Sequence, residues 1–203
     1  MTVSTGVLQT LNILALATGV LYAVLAARRN RFCWIAGAVS SVCAAVLSGM
    51  SKLPMQSALN VFYIGMSAYG WWSWARRSSH GELNVSLWPY AWHLGAAVSI
   101  IVLSLASAFL LRQWTAAAWP LLDSLTTFFS LLSTWLAARG KLENWLYWVV
   151  INTVTIYLFS AQRAWGMAVL SALLTVIAVA GYIAWRRRYR AQIGEPGAAQ
   201  VPA

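Results

Sequence analysis

Seven runs of mainly apolar residues, each close to the length that crosses a bilayer, alternate with short stretches that hold nearly all of the charge. A hydrocarbon core of about 30 Å asks for about 20 such residues per helix. The runs predict helices over Thr5 to Ala26, Phe32 to Gly49, Pro54 to Ala75, Trp88 to Leu111, Trp119 to Ala138, Glu143 to Ser160 and Trp165 to Trp185. Backbone polar groups inside hydrocarbon must be paired within their own segment, which selects helices for spans of this length. The pattern therefore predicts an all-α membrane protein with seven transmembrane helices. Composition agrees: of 203 residues, 61% are hydrophobic and 9% charged, too little polar surface to coat a water-soluble globule. The first run has no basic segment before it and no small-residue cleavage pattern after it, so a cleaved signal peptide is not expected.

The net charge of +10 changes the picture only through its placement. A basic domain for nucleic acid would cluster its cations, whereas these are shared among the loops. Arg28, Arg29 and Arg31 follow the first helix, Arg76 and Arg77 the third, Arg139 and Lys141 the fifth, and Arg186, Arg187, Arg188 and Arg190 the seventh. Lys52, Arg112 and Arg163 fall in the alternate loops. Eleven cations against three set the cytoplasmic side, and hence an N-out, C-in topology. Residues 191–203, short and Gly/Pro-containing, read as a disordered tail. Cys33 and Cys43, ten residues apart on one helix, read as small apolar packers, not as a disulfide or metal pair.

The chain also matches itself. At an offset of 111 residues, Leu25-Ala26-Ala27-Arg28 meets Leu136-Ala137-Ala138-Arg139, Trp34 meets Trp145, Gly70 meets Gly181, Trp74 meets Trp185, and Lys52 meets Arg163. Twelve identities fall in the gapless segment from Leu25 to Arg77. An intervening fourth helix restores the orientation of the first, so the two three-helix units run the same way across the bilayer. The expected organisation is residues 1–77 as the first unit, 78–115 as a linker with the fourth helix, and 116–190 as the second unit. Parallel repeats of this kind are a transporter architecture, with substrate held near the midplane between the halves.

Polar residues inside the spans carry the candidate chemistry. Gln56, Asn60, Tyr63 and Ser67 are spaced four, three and four apart, which places them on one face of the third helix. Amides in hydrocarbon need partners, so that face should look inward, either to bind a ligand or to tie helices together. Trp145, Trp148, Asn152 and Thr155 make a second stripe on the sixth helix. Indole faces beside an amide suit a small heteroaromatic ligand, and a delocalised positive charge adds cation-π attraction of roughly 0.5 to 2 kcal/mol per ring. Trp145, next to a basic loop, equally fits an interfacial anchor. Asp123, Thr127, Ser130 and Thr134 share a face of the fifth helix. Asp123 reads either as an ion site or as an acid favoured at a helix N-terminus. His93 is the only histidine in a span and His80 lies in a loop beside Glu82, so no metal cluster, no Ser/His/Asp set and no Gly-rich phosphate loop is visible. The sequence thus points to no metal, no cofactor and no catalytic residue, with an integral membrane enzyme as the remote alternative.

Several stretches together resemble the PnuC family of bacterial vitamin transporters: Tyr69-Gly70-Trp71 with Trp74, Leu122-Asp123-Ser124-Leu125-Thr126-Thr127, and Ala138-Arg139-Gly140-Lys141-Leu142-Glu143-Asn144-Trp145. Trp145, Trp148 and Asn152 match that family's WxxWxxxN ligand-binding pattern. The resemblance implies a SWEET-like three-plus-one-plus-three fold in the bacterial inner membrane and a homotrimer. It also implies uptake of nicotinamide riboside by facilitated diffusion, made one-way by a cytoplasmic kinase, with thiamin or another vitamin or nucleoside as the alternative cargo. The expected substrate residues are Gln56, Asn60, Tyr63, Thr127, Trp145, Trp148 and Asn152.

Overall fold

Prolines open two of the helices, Pro54 and Pro120 standing where a missing N–H costs nothing. The computed structural model describes residues 5–50, 54–79, 82–114 and 119–194. The order is α1 (Thr5–Ala27), α2 (Cys33–Met50), α3 (Pro54–Arg77), β1 (Ser78–Ser79), β2 (Glu82–Leu83), α4 (Tyr90–Trp114), α5 (Pro120–Ala138), α6 (Asn144–Ala161) and α7 (Trp165–Gly194). The two short strands form an antiparallel ladder with Ser78 opposite Leu83.

Helix boundaries fall within three residues of expectation except at the end of α7. There the sequence-based expectation of a tail from 191 onward needs correcting, because the helix continues through Gly194. Ala191, Gln192 and Ile193 are compatible with helix, and Gln192 Nε2 donates to Asn84 Oδ1 at 2.9 Å. Residues 195–203 of that expected tail, together with Lys52 and His80, lie outside the described residues.

Among the described residues, α1, α2, α4, α5 and α7 are long and apolar enough to cross a membrane. Helices α3 and α6 fall short because they carry the amides Gln56, Asn60, Asn144 and Asn152 among many Trp and Tyr residues. The outward faces fit lipid and not water: Ile13 is 66% exposed, Val102 60%, Val169 69% and Val176 66%. The chain is a multi-pass membrane protein.

Three helix ends share one device, the left-handed residue that closes a helix. After α1, Arg29 has φ 58° and Asn30 N–H donates to Leu25 O at 2.9 Å. After α5, Gly140 has φ 66° and Lys141 N–H donates to Leu136 O at 2.9 Å. After α6, Arg163 has φ 58° and Ala164 N–H donates to Phe159 O at 2.8 Å.

The chain divides into two compact units. One comprises residues up to 84, 138–140 and 183 onward; the other comprises 85–137 and 141–182. In the first, the indoles of Trp34, Trp74 and Trp185 are all buried, with ring centroids 5.5 Å and 5.9 Å apart in sequence. Trp185 Nε1 donates to Ala26 O at 3.0 Å, closing the end of α1. Small residues let α1 and α2 approach: Ser40 Oγ donates to Ala15 O at 2.7 Å beside Gly19. In the second unit the loop before α4 is stitched to the start of α6. Leu142 N–H donates to Ser86 O, Lys141 Nζ to Leu87 O, and Trp88 N–H to Glu143 Oε1.

Candidate functional site

In the first unit, the polar face of α3 is organised along its own helix. Gln56 is exposed and its backbone oxygen accepts from Asn60 Nδ2 at 2.8 Å. Asn60 is 6% exposed, a buried amide in a transmembrane setting. Tyr63 is half-buried with its ring edge-on to Phe62, and its backbone oxygen accepts from the buried Ser67 hydroxyl at 2.9 Å. Ser67 lies close to α2: a Cβ on Gly37 would come 3.4 Å from its Oγ and 3.0 Å from the Tyr22 ring.

In the second unit, Trp145, Trp148 and Asn152 follow one another up α6 as buried, half-buried and buried positions. Asn152 is 7% exposed. A buried amide that meets no partner costs on the order of 1 to 3 kcal/mol in proteins, so this position calls for a neighbour or a ligand. Trp145 is held by packing: Gly181 of α7 lies under its indole so closely that a Cβ there would be 2.8 Å from the ring. Trp34 covers Gly70 in the same manner in the first unit. On α5, Thr127 is half-buried and Thr134 buried, while the Ser130 and Thr134 hydroxyls donate to carbonyls one turn back. Asp123 is exposed and stands in the first turn of α5, where a negative charge meets the positive end of the helix dipole.

These positions combine amide and indole surfaces with no cationic side chain. Among the described residues no group of three or more His, Cys, Asp or Glu is placed to hold a metal.

The chain matches the family described as nicotinamide mononucleotide transporter over residues 9–187. It belongs to that family. Within curated relatives, it is 28% identical over 153 residues to the nicotinamide riboside transporter PnuC of Escherichia coli strain K12, covering 63% of this chain. That match spans 64% of the Escherichia coli protein's length. The namesake from Neisseria mucosa is 26% identical over 197 residues, covering 89% of this chain and 73% of that one. The crystal structure of the vitamin B3 transporter PnuC superposes with a TM-score of 0.72 at 22% identity, covering 89% of this chain and 82% of that one. The family fold is therefore shared along nearly the whole chain.

One cluster escaped the sequence reading. His93 Nδ1 lies 2.8 Å from the Tyr147 hydroxyl, and His93 Nε2 lies 3.8 Å from Glu143 Oε1. Trp88 stands edge-on to the same imidazole at 4.7 Å. The spacing of Glu143, the N-cap of α6, and Tyr147, one turn further on, was the available signal. Their partner on α4 is 50 or more residues away, and periodicity within one helix carries no information about it.

Proposed function

We propose that this protein carries nicotinamide riboside across the bacterial inner membrane by facilitated diffusion, with uptake made one-way by a cytoplasmic kinase. The observation that carries the reading is the α6 face of Trp145, Trp148 and buried Asn152 in a chain of this family. Relatives from two organisms are named as nicotinamide riboside transporters, which supports the same cargo here. The substrate residues proposed are Gln56, Asn60, Tyr63, Thr127, Trp145, Trp148 and Asn152. They offer ring faces for a cationic pyridinium and amides for ribose hydroxyls. They contain no Arg or Lys, so the phosphate of a mononucleotide would enter without the cation it calls for. Transport of this kind asks for no catalytic group, cofactor or coupling ion.

The architecture proposed is a three-plus-one-plus-three parallel repeat over residues 1–77, 78–115 and 116–190, with all seven helices crossing, N-out and C-in. Two local likenesses at the 111-residue offset support the repeat: Trp34 over Gly70 against Trp145 over Gly181, and the left-handed closures at Arg29 and Gly140. The eleven-to-three distribution of cations supports the orientation. Family resemblance adds a homotrimer.

Calorimetric titration of the purified protein with nicotinamide riboside, nicotinamide mononucleotide, thiamin and riboflavin tests the assignment. Nicotinamide riboside should bind tightest. Tighter binding of thiamin would move the cargo within the vitamin class, and binding of none would overturn the transport reading.

A further inference from the structure

A cavity of about 630 Å³ opens between α4, α5 and α6 of the second unit. It lies on the side of α6 away from Trp145, Trp148 and Asn152, none of which lines it. Its walls are mostly apolar, with Ala97, Leu125, Phe129, Val150 and Val154 among them; Glu143, His93 and Tyr147 stand together at one end, and Thr126 lines the wall on α5. Val150 is 63% exposed and Leu146 46%, so the cavity faces outward to whatever surrounds the protein.

We propose that this cavity is a binding site for one acyl chain of a zwitterionic phospholipid whose primary-amine headgroup is recognised by Glu143. Length is the first argument. From Glu143, the N-cap of α6, to Val154 is a rise of 11 residues, about 16 Å at 1.5 Å per residue. Half of a hydrocarbon core of about 30 Å is about 15 Å, the depth of one leaflet. Charge is the second. Glu143 is the acidic group lining the cavity; its Oε1 accepts from Trp88 N–H, and its buried Oε2 has no hydrogen-bond partner among the described residues. A carboxylate oxygen without a donor is costly, and an ammonium with three N–H groups supplies one at the rim, where the Glu143 side chain is 17% exposed. The headgroup end is the third: Tyr90 is 83% exposed and Trp92 65%, amphipathic rings of the kind found at the membrane surface, at the same end of α4 as His93. The Tyr147 hydroxyl, tied to His93, and the Tyr147 ring, stacked on Phe129 at 5.8 Å, hold the floor between polar rim and apolar channel.

The test uses the detergent-purified full chain and native mass spectrometry, with phosphatidylethanolamine and phosphatidylcholine of identical acyl chains in equimolar competition. The two headgroups carry the same charge, but only the primary amine donates hydrogen bonds. Wild type should retain at least fivefold more of the ethanolamine lipid. Glu143→Gln keeps the acceptor for Trp88 N–H and removes the charge, and it should bring the ratio close to one. Ala97→Phe narrows the channel and should lower retention of both lipids. An ethanolamine lipid with a photoreactive group at its chain end should label the α6 peptide that contains Val154. Equal retention of the two lipids by wild type, a preference that survives Glu143→Gln, or quantitative disulfide dimers of Val150→Cys, which would mean that a second copy covers the groove, each overturns the proposal. Should Glu143→Gln fail to fold, the wild-type ratio and the labelled peptide decide.

Discussion

Trp145 of α6 rests on Gly181 of α7 with no room for a methyl group, since a Cβ on the glycine would stand 2.8 Å from the indole ring. The contact atoms belong to the rigid fused ring, so accommodating them requires the helices to part. Gly181→Ala should therefore destabilise by about 1 to 3 kcal/mol, seen as a lower thermal midpoint in detergent. Gly70→Ala, under Trp34, should cost at least as much, because the approach there is closer. A Gly181→Ala protein that melts like wild type would show that α6 and α7 separate freely.

Replacing Trp148 by Ala removes stacking worth on the order of 1 kcal/mol or more, and Asn152→Leu leaves a ligand polar group unpaired at about 1 to 3 kcal/mol. Each should weaken nicotinamide riboside binding about fivefold or more. Asn60→Leu should do the same from α3. Trp145→Ala should lower stability as well as affinity, because the residue is 4% exposed and its ring is packed on Gly181. The control is Val169→Leu on the exposed side of α7. Wild-type affinity in both Trp148→Ala and Asn152→Leu, in protein of unchanged elution and melting, would remove α6 from the substrate path.

Asp123 is exposed in the first turn of α5, a place that explains its charge without assigning it an ion. Asp123→Asn should leave nicotinamide riboside uptake into proteoliposomes within about twofold of wild type, the span of a few tenths of a kcal/mol. Collapsing a proton gradient should leave the initial rate unchanged. Loss of uptake in either experiment would give the carboxylate a coupling role.

The placement of cations predicts the side of each terminus. A phosphatase fused after Arg190 should be inactive in intact cells and one fused before Thr5 active, as the positive-inside rule requires of an eleven-to-three split of cations with four arginines in the last cluster. Activity at the C-terminal fusion would overturn the orientation.

The helices were legible because bilayer thickness writes a length into each apolar run, and the two prolines at helix starts sharpened it. The end of α7 was harder: Arg186 to Arg190 stopped the apolar run, yet charged residues are good helix formers and the backbone had no reason to break before Gly194. The 111-residue match pointed to Trp34, Trp145, Gly70 and Gly181 as related positions, but not to the fact that each Trp sits on its Gly. That contact depends on the separation of two helix axes, and separation leaves no periodicity in either strand of sequence. The stripe on α6 could be read as one face, whereas its division into a packed Trp145 and a more open Trp148 could not. The His93, Tyr147 and Glu143 cluster was invisible for the same reason: its geometry joins two helices whose spacing in the chain says nothing of their neighbourhood.

The hydroxyls of Ser67, Ser130, Thr134 and Thr155 each donate to the carbonyl one turn behind them. Their protons are thereby engaged, while the oxygen lone pairs stay open. At these four positions the helix faces therefore offer acceptors and not donors, although the sequence shows hydroxyls that could be either. Such positions welcome a molecule that brings its own protons, as a ribose does with its hydroxyls, and leave all donation to the neighbouring amides and indoles.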